Sequence, residues 1–184
     1  MTTDPTLVKA TIDDYPVIQN MARFYVYDMS RYCGRMPSRH DWSCPPEGLF
    51  ECVDLKPYFI EPDRHGFYIK VGGEKAGFAL INKKGSTPDV DWNVGEFFIL
   101  AKFQSTGIGK QAAERLFEKF PGVWETAVML ENTGAYPFWS KVVASYTGGS
   151  FTEEKKLVPD PEPHEMIIFR FESPLKAYRP DHDF

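Results

Sequence analysis

The sequence predicts one mixed α+β domain built around a mostly antiparallel sheet. Two apolar runs meet at Gly72-Gly73, the signature of a tight hairpin. A later strand-like run empties into a small-residue loop that opens a helix. Strand and helix periodicities alternate along the 184 residues without a repeat, low-complexity block or linker, and that length suffices for one sizeable core.

In chain order, Thr6–Ala10 is a short strand. Thr11 and Asp13 offer helix caps, and Pro16 falls in the first turn, where its missing N–H matters least. Ile18, Met21, Ala22, Tyr25 and Met29 then recur at helical spacing up to Tyr32. From Cys33 to Arg64 prolines break the pattern, leaving loops and one short helix around Gly48–Leu55. Gly66–Val71 and Lys75–Ile81 form the hairpin, and Asp91–Leu100 a longer strand. A helix spans Gly107–Phe120, stopped by Pro121-Gly122. Val123–Leu130 is a strand, and Asn132 caps a helix with Ala135, Phe138, Trp139 and Val142 on one side. Gly148–Thr152 and Glu165–Phe171 close the sheet, with Glu153–Lys156 in a solvated loop or strand end. The segment 172–184 reads as a loosely held tail of the single domain 1–184.

Composition excludes several classes. A net charge of -5 argues against a generic nucleic-acid binder, which needs a basic face. No run approaches 18 apolar residues, and the start Met1–Pro5 has neither the basic nor the apolar part of a signal peptide. Cys33, Cys44 and Cys52 make no C-x-x-C pair, and with His40 and His65 they match no compact metal-ligand spacing. A cytoplasmic protein without a metal, and with no nucleic-acid or membrane partner, is the expectation. A homodimer is among the assemblies open to it.

The informative stretch is Glu96–Lys110. A helix start presents unpaired N–H groups and about half a positive charge, and glycines let anionic oxygens approach the backbone. Three phosphate cradles compete for it. The P-loop fails, because Gln111 follows Gly109-Lys110 and Gln104 stands where its first glycine belongs. A dinucleotide fingerprint survives in Gly107-Ile108-Gly109-Lys110-Gln111-Ala112, with Glu131 roughly 20 residues on, although Ala101–Thr106 separates the glycines from the strand.

The third fit covers more of the chain. Gln104-Ser105-Thr106-Gly107-Ile108-Gly109 resembles the Gln/Arg-x-x-Gly-x-Gly/Ala signature of the GNAT superfamily of N-acetyltransferases. Asn132–Lys141 resembles that family's second motif, Asn-x-x-Ala-x-x-Phe-Tyr-x-Lys, one helix and one strand further on. The resemblance implies about seven strands flanked by about four helices, splayed between the fourth and fifth strands. It implies acetyl-CoA as cosubstrate, with Phe98, Ile99 and Leu100 offering backbone bonds to the pantetheine. Gln104, Ser105, Thr106, Gly107, Ile108, Gly109 and Lys110 would hold the pyrophosphate, and Asn132, Ala135, Phe138 and Trp139 the far wall. The acceptor would be a primary amine, on a small molecule or a peptide.

Acetyl transfer needs a neutral amine, and freeing an alkylammonium of pKa near 10.4 at pH 7 costs roughly 4–5 kcal/mol. A carboxylate acting as general base offsets part of this. The resemblance points to Glu96, with Asp91 and Glu131 in reserve, and a one-residue slip of the strand would turn Glu96 to the other face. Relatives protonate the departing thiolate with the tyrosine of Phe-Tyr, where this chain has Trp139. Tyr136 is the substitute expected on sequence, so Tyr136→Phe should lower kcat at least tenfold. Tyr25 and Tyr32, with Tyr27, Trp42 and Phe59, fall in the segment where such proteins build the acceptor pocket. A non-catalytic CoA-binding sensor stays open beside the enzyme.

Overall fold

The computed structural model describes residues 4–34, 44–159 and 163–174. Seven strands form one sheet: β1 (Thr6–Lys9), β2 (Arg64–Val71), β3 (Glu74–Asn82), β4 (Trp92–Ile99), β5 (Gly122–Met129), β6 (Phe151–Val158) and β7 (His164–Ser173). They lie in the order β1-β2-β3-β4-β5-β7-β6. Every pairing is antiparallel except β4 with β5. Helices α1 (Tyr15–Cys33) and α2 (Pro57–Ile60) cover one face, and α3 (Ile108–Lys119) and α4 (Ala135–Thr147) the other.

Side-chain alternation sorts the strands between two cores. Phe67, Ile69, Ala79 and Ile81 pack with α3 and α4, around Phe117 and Trp124. Tyr68, Phe78 and Leu80 turn the other way, onto Ile18, Met21 and Ala22 of α1. The Phe117 and Trp124 rings meet edge-on at 5.0 Å, and both are fully buried. Such a pair contributes about 0.5–1.5 kcal/mol beyond burial. The β2–β3 hairpin turns on Gly72 (φ 56°) and Gly73 (φ 86°), a left-handed pair suited to the twist of the flanking strands.

Three boundaries differ from expectation. The short helix lies at Pro57–Ile60 rather than 48–55: Pro57 starts it, while Gly48 sits left-handed in a turn after Pro45-Pro46. Gly148 and Gly149 do not begin a strand. Both have positive φ and close α4, with the Gly149 N–H bonded to Ala144 O. The strand instead runs through Glu153–Lys156, because β6 is the outer edge of the sheet and its charged residues face water. β7 continues to Ser173, whose buried hydroxyl donates to Phe117 O, so residues 172 and 173 belong to the sheet; 175–184 lie outside the described residues. No helix among the described residues is long and apolar enough to cross a membrane.

Candidate active site

Parallel pairing of β4 with β5 lasts only from Trp92–Trp124 to Val94–Thr126. Trp92, Trp124 and Phe120 pack together at that closed end. Beyond it β4 stays with β3 while β5 stays with β7 to Met129, so the sheet opens into a gap. A bulge marks the opening: Ile81 opposes Val94 but Leu80 opposes Glu96, leaving Gly95 as the extra residue. Gly95 admits no side chain, because a Cβ there would lie 2.1 Å from the Tyr58 hydroxyl. The inserted residue resets the alternation. Val94, Phe97 and Ile99 share the α3/α4 face, whereas Phe98 turns to the α1 face and Glu96, two residues from it, turns the same way.

The edge of β4 facing the gap follows from the same pairing. The Leu100 N–H is already bonded to Ala76 O at 2.8 Å, so by period-two alternation residues 96, 98 and 100 bond toward β3. The main-chain groups of Phe97 and Ile99 face the gap. Ile99 O accepts a 2.8 Å bond from Gln104 Nε2, which ties the following loop back onto the strand end.

That loop leads into α3 through two left-handed residues, Ser105 (φ 61°) and Gly107 (φ 88°). A serine held there stores on the order of 1 kcal/mol or more of strain. The conformation gathers successive amides into a concavity suited to an anion. The first intrahelical bond is Gln111 N–H to Gly107 O, so the amides of Ile108, Gly109 and Lys110 have no acceptor within the helix. A Cβ on Gly109 would lie 3.2 Å from the Phe138 ring, a tight contact that the glycine relieves where the helix start meets α4.

Two cavities meet at the gap. The first, about 630 Å³, runs from the α3 loop past Phe138 and Lys141 to Tyr25, Asp28, Arg31 and Tyr32 of α1. The second, about 420 Å³, is lined by Glu96, Asn93, Thr126, Trp139, His164 and Met166 among others. Tyr25, Met29, Phe97, Asn132 and Ala135 line both. Glu96 keeps some solvent contact because its cavity is open, but protein encloses the carboxyl. Burial pushes its pKa up from 4.5 to about 7, opposed in part by a hydrogen bond from Tyr25. The Tyr25 hydroxyl is pushed well above its ordinary range, chiefly by burial and then by the charge of Glu96.

The sequence profile of the Acetyltransferase (GNAT) family matches residues 29–143, most of the chain. The chain belongs to the GNAT family. No curated protein sequence matches it significantly. Solved structures share the fold at low identity. An acetyltransferase from Thermus thermophilus is 16% identical with a TM-score of 0.63, over 93% of this chain and 100% of that one. An N-acetyltransferase from Staphylococcus aureus is 11% identical with a TM-score of 0.57, over 92% and 99%. A Bacillus subtilis acetyltransferase solved in complex with CoA is 12% identical with a TM-score of 0.50, over 93% and 99%. In a GNAT chain with this mostly antiparallel sheet the dinucleotide reading fails, since that fingerprint requires a parallel strand–turn–helix unit.

Within this GNAT site, Gln104, Ser105, Gly107, Gly109 and Lys110 line the first cavity. Thr106 does not, since its hydroxyl is turned to Phe103 O, and the Ile108 side chain plugs the core. Phe98 and Ile99 also line it, but of the three strand residues expected to offer backbone bonds only Ile99 turns its main chain to the gap: the Phe98 and Leu100 main chains bond toward β3, and Leu100 does not line the cavity. Asn132 caps α4, its Oδ1 accepting the Ala135 N–H at 3.0 Å. Asn132, Ala135 and Phe138 line the first cavity, and Trp139 the second. Tyr25 and Tyr32 face the first cavity. Tyr27 is exposed against Phe50, and Phe59 packs with Tyr15, so neither builds an acceptor wall. Trp42 and His40 lie outside the described residues.

Tyr136 is the main correction. It lines neither cavity, its ring packs on Phe169, and its hydroxyl donates to Glu153 Oε1 at 3.1 Å on the outer side of the sheet. Three residues of helix carry it some 60° away from Trp139, enough to cross from the gap to β6. The reserve carboxylates are committed elsewhere. Asp91 accepts the Val123 N–H at the base of β5, and Glu131 pairs with His164 Nε2 at 2.9 Å. Sequence reasoning missed Asp28, Arg31, Asn93, Thr126, His164 and Met166, which only the tertiary fold brings to the gap. Lys141 ended the second motif, and that was its available signal. No cluster of three or more metal-ligating side chains occurs among the described residues.

Proposed function

We propose that this protein is an acetyl-CoA-dependent N-acetyltransferase acting on a primary amine, with Glu96 as general base. The observation carrying the reading is the juxtaposition across one gap of an anion-ready helix start and a carboxyl whose pKa lies near 7. The residues fit the cosubstrate. The amides of Ser105–Lys110 suit a pyrophosphate, the main chain of Phe97 and Ile99 suits an amide-bearing arm, and Asn132, Ala135 and Phe138 supply the opposite wall. When bound, acetyl-CoA supplies an acetyl group activated as a thioester.

Glu96 accepts the proton that the acceptor nitrogen sheds as its lone pair forms the new C–N bond; the thioester C–S bond would break in exchange, and the departing thiolate would take its proton from solvent. A base with pKa near 7 is about half ionised at neutral pH and takes the proton at less cost than an ordinary carboxylate would. Tyr25 holds the Glu96 carboxylate by its hydroxyl and is, among the described residues, the only hydroxyl-bearing one common to both cavities. An N–H of Phe97 or Ile99 along the open edge of β4 supplies the oxyanion donor. The test is thiol release with a panel of amines, together with calorimetry of acetyl-CoA binding. Acetyl-CoA should bind and at least one amine should be converted to its amide. No measurable affinity at millimolar acetyl-CoA would end the reading.

The CoA-sensor alternative draws on Trp139, and on Tyr136 turning away from the gap. Acetyl-CoA binding without release on any amine would favour it.

A further inference from the structure

We infer that the acceptor is a small primary monoamine with an aromatic body, an arylalkylamine, and not a polyamine or other polycation; this rests on the acetyl-transfer reading above. Charge carries the first half of the argument. Among the described residues lining the second cavity, Glu96 is the only carboxylate. His164, the one side chain of the described lining capable of a positive charge, pairs with Glu131, whose carboxylate is thereby engaged and does not line the cavity. One carboxylate partners one nitrogen, and as a base it takes one proton. The further ammonium groups of a polyamine would find no second carboxylate among the described residues lining this cavity, and an unpaired charge removed from water is strongly disfavoured.

The walls carry the second half. Met29 of α1, Met129 of β5 and Met166 of β7 converge on this cavity from three separate elements. Met129 and Met166 face each other directly across the β5–β7 ladder. Trp139, braced edge-on by Phe97 at 5.3 Å, forms the adjoining wall. Thioethers are polarisable, adapt their shape, and make favourable contacts with ring edges, so this lining favours a flat apolar body over a hydrated chain. At about 420 Å³ the cavity is at the small end of ligand sites, matched to a ring and a short tail.

The test compares kcat/KM for phenethylamine and tryptamine with that for putrescine, spermidine, kanamycin and a short peptide with a free α-amine, using the full chain and saturating acetyl-CoA. An arylalkylamine should exceed spermidine at least 30-fold. In the Met166→Glu variant, which places a second carboxylate in the cavity, that ratio should fall at least tenfold. Equal or better use of a polyamine, kanamycin or the peptide by the wild type overturns the inference, whatever the variant does. A folded Met166→Glu protein, judged by its melting curve, with an unchanged ratio overturns it too. Silence on every amine despite acetyl-CoA binding removes the acetyl-transfer reading itself, a different outcome from a wrong acceptor class.

Discussion

Replacing Glu96 by glutamine keeps the side chain's shape and its acceptor for Tyr25 while removing the charge, so it separates two consequences of burial. In the folded protein the carboxyl has a pKa of about 7 against an ordinary 4.5. The folded state therefore holds the proton more tightly than the unfolded chain. Glu96 is harmless to stability below about pH 4.5, and stability is lost progressively as pH rises toward 7. The difference, at about 1.36 kcal/mol per pH unit, comes to about 3 kcal/mol, an upper value because water in the open cavity relieves part of it. Glu96→Gln escapes this loss. At pH 9 it should melt higher than the wild type by roughly 6–12 °C, taking about 2–4 °C per kcal/mol for a chain of this size. At pH 4.5 the two should coincide. Activity should move the opposite way: wild-type kcat/KM rises with an inflection near pH 7, and the variant loses about 10²–10⁴ in kcat with that inflection gone. Differential scanning calorimetry across pH and steady-state thiol release provide the readouts. A variant within threefold of wild-type kcat, or one whose melting tracks the wild type at pH 9, would refute the reasoning.

Tyr25→Phe removes a bond that favours the ionised carboxylate, so the inflection should move upward, by on the order of one pH unit; an unmoved profile would show that Tyr25 only packs. Tyr136→Phe should leave kcat within twofold, because the hydroxyl serves Glu153 and not the gap, and a tenfold drop would contradict its placement. Gly107→Ala, at φ 88°, should raise KM for acetyl-CoA several-fold and cost about 1 kcal/mol of stability, measured by titration and urea melts. Arg170→Met leaves Glu125, only 3% exposed, without its cation at the base of the sheet, and should cost about 3 kcal/mol in urea melts while sparing KM for acetyl-CoA.

Local chemistry determined much of this protein. Gly72-Gly73 specified a hairpin because both turn residues need positive φ, and the periodicities of 15–33 and 108–119 specified helices because each has one face to bury. The pair of motifs at 104–109 and 132–141 was legible because an anion cradle and a helix cap are each built from contiguous residues. The course of β6 was less legible, since charges on an edge strand look the same in sequence as charges in a loop. Only the tertiary structure decided the face of Glu96. One extra residue, Gly95, reverses the alternation of β4, and that position takes a glycine because Tyr58, far off in sequence, fills the space a side chain would need. Likewise the meeting of Met29, Met129 and Met166, and the turning of Tyr136 toward Glu153, depend on how distant elements pack, which no local pattern encodes.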